Sequence, residues 1–197
     1  MTRTIAGIIV AAIVLYVWGF IYWGMGPYRE LIWKQTIGDA AAQRALLKHF
    51  PREGTYFIPG MQDDPKETEA LYQSGPLAMV HMLSIEGQPV FDSNIMIKGF
   101  CWNLLIIVLI AVWLHRLTNA VPCYRERVGL VMFAGLIASV GIDGSAVIWW
   151  RMDWPWKLYQ GLYDLSVFVI VGVILAAFIK PSASPIKVNV ESTSAAS

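Results

Sequence analysis

The chain has 197 residues, 56% of them hydrophobic and only 15% charged, with a formal net charge of +1, and its mean hydropathy is +0.53. An ordinary soluble domain carries about 25% charged residues, so this composition excludes a soluble enzyme and a disordered chain, and the balanced charge gives no field to gather nucleic acid. Two cysteines are too few for a disulfide framework or an unaided zinc site, which leaves an integral membrane protein whose first partner is the lipid bilayer.

A helix needs about 20 mainly apolar residues to cross a hydrocarbon core of roughly 30 Å. The first such span covers residues 5–23 and has no charge. It closes on Trp18, Tyr22 and Trp23, then Gly24, Gly26 and Pro27. Arg3 ahead of an apolar run also suits a cleaved signal peptide. However, the run exceeds the about 7–15 residues of a signal core and no small-x-small site follows it. Interfacial aromatics followed by helix breakers instead indicate a retained anchor.

Residues 27–98 form a polar segment, large enough for a small module but poor in core. Residues 39–50 have helical spacing, with Ala42, Leu46 and Phe50 on one side, Asp39 as the expected N-cap and Pro51 as the stop. Gly54-Thr55-Tyr56-Phe57-Ile58-Pro59-Gly60 is strand-like. Asp64-Pro65-Lys66-Glu67 signals a helix start, with a capping Asp, Pro at the first position and Glu closing a capping box. Ser74-Gly75-Pro76 ends that helix. Residues 77–85 and Pro89-Val90-Phe91, separated by the turn Glu86-Gly87-Gln88, complete a small α+β cap expected on the outer face of a bundle.

Three further spans follow: residues 99–114, residues 128–150 with Asp143, and residues 158–179 with Asp164. From residue 181 the chain is rich in Ser, Ala, Pro and Thr and is expected to be disordered. The predicted organisation is mainly α: transmembrane helix 1 over residues 1–26, an extracytoplasmic cap over 27–98, transmembrane helices 2–4 over 99–180, and a cytoplasmic tail over 181–197. No internal repeat is visible, against the duplicated transporter folds.

Arg116, Arg125 and Arg127 lie in one short loop, and Arg3, Lys180 and Lys187 flank the outermost spans. The positive-inside rule puts all of them, with both termini, in the cytoplasm. Trp149, Trp150, Trp154, Trp156 and Tyr159 then form an outer aromatic belt.

Tyr16-Val17-Trp18-Gly19-Phe20, the run from Gly54 to Gly60, the Ser74-Gly75-Pro76 step before a strand, and the Trp-rich end of the third span at Trp149 and Trp150 resemble an uncharacterised family of small four-helix bacterial integral membrane proteins. The resemblance spans nearly the whole chain. It implies the four-helix architecture and the bacterial inner membrane. It implies no reaction and carries over no catalytic residue.

Charge inside a membrane helix is costly, about 2.5–3.5 kcal/mol at the centre on insertion scales, so Asp143 and Asp164 are the first candidates for chemistry. At 1.5 Å per residue both lie roughly 10–12 Å below the loop that joins their helices. Lys98 and Asn103 fall in the same outer third of the second span. Either the four converge on an outward-facing polar cavity that takes a cation or small polar ligand or relays a proton, or they form a structural layer in which Asp143 pairs with Lys98 or a cation of the loop that holds Arg151 and Lys157, and Asp164 bonds to Tyr or Trp donors near the interface.

Small residues on the third span, Gly135, Ala138, Ser139, Gly141, Gly144 and Ser145, serve close packing within the chain or a homodimer face. His81 with Met79 and Met82 has the ligand types of a copper site, but on a strand Met82 points away from the other two. His115 is interfacial. Cys101 and Cys123 sit at opposite ends of the second span and its loop, so they are expected to remain unpaired. Phosphate loops, paired-His helices and nucleophile elbows are absent from the sequence, so no cofactor is expected and an enzyme with its site between cap and bundle is the least favoured reading. The function that remains is a non-catalytic interaction or accessory protein with a membrane-protein partner or a second copy. The alternative is a small transporter or polar-ligand-binding bundle using the intramembrane acids.

Overall fold

The computed structural model describes residues 2–181, Arg29 by its backbone alone; all but the first residue of the expected tail lies outside the described residues. Helix α1 (Thr2–Gly19) runs on into a π-helical turn, Phe20–Gly24, and a single turn α2 (Tyr28–Leu31) follows. Next come α3 (Asp39–His49), β1 (Gly54–Ile58), α4 (Pro65–Ser74) and β2 (Ala78–Met82). The chain then forms α5 (Ser93–Leu117) and α6 (Tyr124–Ser139), which continues through a second π-helical turn, Val140–Gly144, into α7 (Ser145–Trp149). Helix α8 (Trp154–Phe178) completes the order. Thr2–Gly24, Ser93–Leu117, Tyr124–Trp149 and Trp154–Phe178 are each long and apolar enough to cross a membrane.

These helices begin earlier than the hydropathy of the sequence suggests, because caps rather than apolarity set helix ends. The Asp92 carboxylate accepts the Asn94 amide at 2.8 Å, which starts α5 several residues before its uncharged core. Asp153 stands at the N-cap of α8 without a side-chain bond to the first turn, and Pro155 in that turn has a backbone suited to a helix start, so the helix takes in Trp154, Trp156 and Lys157.

The chain divides into two compact units, one made of the residues up to Trp33 and from Met96 onward, the other of Lys34–Ile95. In the larger unit α8 lies antiparallel to both α1 and α6. Gly7 of α1 meets Phe178 and Gly19 meets Tyr163, while Gly135, Gly161 and Gly172 seat Phe168, Ser139 and Val131 across the α6–α8 contact. A Cβ at Gly135 would overlap the Phe168 side chain, and one at Gly161 would sit 2.6 Å from Ser139 Oγ. Of the small residues on the third span, Gly141, Gly144 and Ser145 are exposed, while Gly135 and Ser139 serve intrachain packing, the close approach that such positions allow between apolar helices. The core they surround includes Leu15, Ile107, Leu114, Val131, Val171 and Leu175. Helix α5 contributes a stripe of buried residues, Ile107, Ile110, Ala111 and Leu114, and Phe100 stacks edge-on against Tyr16 at 5.5 Å.

In the smaller unit β1 and β2 pair antiparallel, Thr55 opposite His81 and Tyr56 opposite Val80. Pro89-Val90-Phe91 forms no strand, and Val90 and Phe91 are exposed. The partner of β2 is therefore β1, reached across α4, rather than a hairpin through Gly87. The expected start of α4 holds: Asp64 accepts the Lys66 amide and Pro65 opens the helix. Glu67 sits in the first turn without closing a box. Gly75 at the C-cap has φ of 57°, a backbone conformation that favours glycine. Asp39 is the first residue of α3 rather than its cap, with Gly38 at the N-cap, because the Asp39 carboxylate is engaged by the Thr36 hydroxyl. Ala42, Leu46 and Phe50 are the half-buried face of α3 as expected, yet no described residue of this unit is fully buried.

Candidate functional site

The second π-helical turn carries Asp143, which is 7% exposed. A π turn inserts extra backbone into a helix and redirects the side chains on it, and such turns recur at functional sites. Here the turn faces the first half of α8. Lys157 Nζ lies 3.3 Å from Asp143 Oδ1, an ion pair. Ser139 Oγ donates to the Gly161 carbonyl at 3.1 Å and lies 3.5 Å from Asp143 Oδ2. The absent side chain at Gly161 makes room for the Ser139 hydroxyl and Asp143 Oδ2.

Of the four expected residues, Asp143 and Asp164 belong to one neighbourhood. Asp164, half-buried on α8, interacts electrostatically with both Asp143 and Lys157. Lys98 is exposed and Asn103 half-buried on α5, and among the described residues neither makes a hydrogen bond or ion pair. The cation that meets Asp143 is Lys157, brought by α8, because the packing of α8 against α6 carries Asp143 to that helix. Of the expected partners of Asp143, Lys98 is not used and the pairing with a cation near the loop is realised by Lys157, four residues before Gly161 and seven before Asp164 on α8.

Beside the ion pair runs an apolar groove of about 540 Å³ between α6–α7 and α8, lined by Val140, Val147 and Leu162 with Asp143, Lys157 and Ser139 as its polar members. In the smaller unit a hollow of about 580 Å³ lies between α3 and the segment after β2, with Arg44, His81 and Glu86 on its walls. His81 Nδ1 is 2.8 Å from Thr55 Oγ1. Met79 and His81 lie on the exposed face of the strand and Met82 on the half-buried one, so the three do not converge. Among the described residues no group of three metal-ligating side chains could hold an ion. Cys101 and Cys123 are exposed free thiols.

Two features were not legible from patterning. One is an interlocked aromatic group joining the end of α1 to the start of α8. Tyr22 contacts Trp18, Trp23, Tyr159 and Tyr163, and Trp23 contacts Tyr28 and Trp156. Trp18 Nε1 donates to Ser166 Oγ at 2.7 Å, and that hydroxyl donates to the Tyr163 carbonyl at 2.6 Å. The other is Arg127, only 3% exposed. Its guanidinium donates to the carbonyls of Val121, Pro122 and Ala176 at 3.2, 2.6 and 3.0 Å. It therefore ties the α5–α6 loop to the last turn of α8, whose carbonyls have no intrahelical partner.

Fold and site together define a mainly helical protein with four helices suited to a membrane, an ion pair set among apolar side chains, and a small two-stranded module. Neither a protein-family model, nor a curated protein, nor a solved structure matches the chain.

Proposed function

We propose that this chain is a multi-pass protein of the bacterial inner membrane, a four-helix bundle with both termini cytoplasmic and the α3–β2 module outside, whose role is non-catalytic interaction with a membrane partner. One observation carries the reading: the outward faces of the four long helices are apolar. Ile9, Ile13 and Val17 on α1, Trp102, Leu105 and Leu109 on α5, and Phe133 and Ile137 on α6 are all exposed. An amphipathic helix of a soluble protein would place polar side chains there. The short-loop arginines Arg116, Arg125 and Arg127 support the orientation, and the likeness to small four-helix bacterial membrane proteins supports the compartment.

The engagement of Asp143 by Lys157 and Ser139 favours a structural layer over an ion pathway. In favour of the ligand-binding alternative, the groove beside α8 reaches Asp143, although Asp164 does not line it. The test has two parts. Reporter fusions after Lys180 and between residues 62 and 66 should report opposite compartments, the cytoplasm for the first. Purification of the full chain from native membranes in mild detergent should then bring down a stoichiometric membrane protein or a second copy. An active periplasmic reporter after Lys180 would overturn the topology, and a solitary chain the interaction role.

A further inference from the structure

The groove between α6–α7 and α8 has a length, a polarity gradient and a charge set that point to one class of ligand. It extends from Leu136 to Ile148 along one wall, which at 1.5 Å per residue is about 18 Å. The stretch inward of Asp143 is about 10 Å of this, within the roughly 15 Å of hydrocarbon in a single leaflet, half of the ~30 Å core. Its volume of about 540 Å³ lies within the about 300–1,000 Å³ of small-molecule sites. The inner stretch is walled by Leu136, Leu162 and Leu165, and the outer end is closed by Trp154, a side chain suited to the membrane interface. Charge enters only at Asp143 and Lys157, some seven residues or about 10 Å from the inner end.

We propose that this groove binds one molecule of a zwitterionic aminophospholipid, an acyl chain lying along the leucine wall and the head group at the ion pair. The proposal rests on the membrane reading above. Charge complementarity selects the head group. The two charges that line the groove, Asp143 and Lys157, are of opposite sign and make a neutral pair, and Arg151 and Asp153 in the adjoining loop are likewise exposed and of opposite sign. A lipid phosphate alone would engage Lys157 and leave Asp143 without a cation. A phosphate with an ammonium gives Lys157 and Asp143 one partner each, both as charge-assisted hydrogen bonds. Neither is sealed off: the side chains alone of Lys157 and Asp143 are 14% and 10% exposed. Gly144 lines the groove and a Cβ there would meet nothing within 4 Å, so a larger side chain at this position enters the groove and leaves the ion pair in place.

The full-length protein, stripped of lipid in detergent, is placed in nanodiscs of equal phosphatidylethanolamine and phosphatidylglycerol, re-extracted, and its retained lipid weighed by native mass spectrometry. One retained phosphatidylethanolamine is expected, enriched about tenfold over phosphatidylglycerol, the ratio that one charge-assisted hydrogen bond supplies. Asp143→Asn should bring the ratio to that of the disc, and Gly144→Leu should abolish retention with the thermal transition intact. Equal retention of the two lipids, retention unchanged by Gly144→Leu, or a protein helix crosslinked from position 144 in native membranes would overturn the site. Failure of the chain to enter the discs would overturn the membrane reading and the site with it, an outcome distinguishable from unselective binding.

Discussion

Tyr22 and Tyr159 exchange hydrogen bonds: each phenolic hydroxyl donates to the other residue's backbone carbonyl, both at 2.8 Å, with the rings 4.4 Å apart. The π-helical turn at the end of α1 makes this possible. The Tyr22 carbonyl lies at a helix end, where carbonyls lack an intrahelical donor, and Pro27, five residues on, has no amide proton to offer. Gly26 completes the arrangement, since a Cβ there would overlap both the Tyr22 carbonyl and the Tyr159 hydroxyl.

The two bonds are unequal in consequence. Tyr159→Phe leaves the Tyr22 carbonyl without its donor and should cost about 1–3 kcal/mol. Tyr22→Phe should cost less, about 1 kcal/mol, because the Tyr159 carbonyl is inside α8 and keeps its intrahelical bond. Thermal unfolding in detergent ranks the variants, and equal losses would show that the carbonyl at the end of α1 finds another partner.

Gly135 faces Phe168 so closely that any side chain must displace the ring. Gly135→Ala should destabilise the α6–α8 contact by about 1–3 kcal/mol, the usual cost of overpacking. Phe168→Leu in the same chain should recover part of that loss, since the two positions are in direct contact and couple. A loss that Phe168→Leu leaves unchanged would place the strain elsewhere.

What the sequence shows of this protein divides along physical lines. The four apolar helices are read from length and hydropathy alone, and α4 from Asp64 and Pro65. Lys157 is one of the two cations the sequence offers Asp143 from the loop before Leu158, and the pair forms; what hydropathy does not show is that Lys157 already lies in the first turn of α8, on the face of Gly161 and Asp164. The convergence of Lys98 and Asn103 with Asp143 does not follow from equal depth: depth is one coordinate, and the rotation of α5 about its axis, set by the packing of Ile107, Ala111 and Leu114, is another. Neither π turn has a sequence signature beyond glycines within or beside it, such as Gly141 and Gly144 in the second, so the faces beyond them cannot be projected at 3.6 residues per turn.

Arg127 counts as one loop charge in a topology reading, yet it is buried and bonded to three carbonyls. Arg127→Lys keeps the charge but loses the planar fork that reaches two segments at once, and Arg127→Met loses both. Lys should therefore preserve orientation in reporter fusions while lowering stability by about 1.5–3 kcal/mol, the range for hydrogen bonds to a charged group. Met should lower stability at least as far. Full stability of the Lys variant would show that the Ala176 carbonyl does not depend on the guanidinium.

Asp143 and Lys157 are the remaining pair, and their partial burial decides what each substitution does. Asp143→Asn retains one oxygen for Lys157 Nζ and puts an amide NH2 beside Ser139 Oγ, whose hydroxyl can accept from it while donating to the Gly161 carbonyl, so most stability should survive. Asp143→Leu takes from the Lys157 ammonium its hydrogen-bonded partner among apolar side chains, which should cost about 1–3 kcal/mol. Lys157→Met leaves the carboxylate in the same position and should cost a similar amount. Replacing both by apolar residues removes the unpaired charge as well as the pair, and such double replacements are often neutral. The Asp143→Leu, Lys157→Met chain should therefore recover most of the loss seen in either single variant. A double-mutant cycle on unfolding in detergent measures this directly, and simple addition of the two losses would mean that the groove solvates each charge on its own. If the pair instead serves a working site, Asp143→Asn is the revealing substitution: it would leave the unfolding transition where it was and abolish the activity of the native chain.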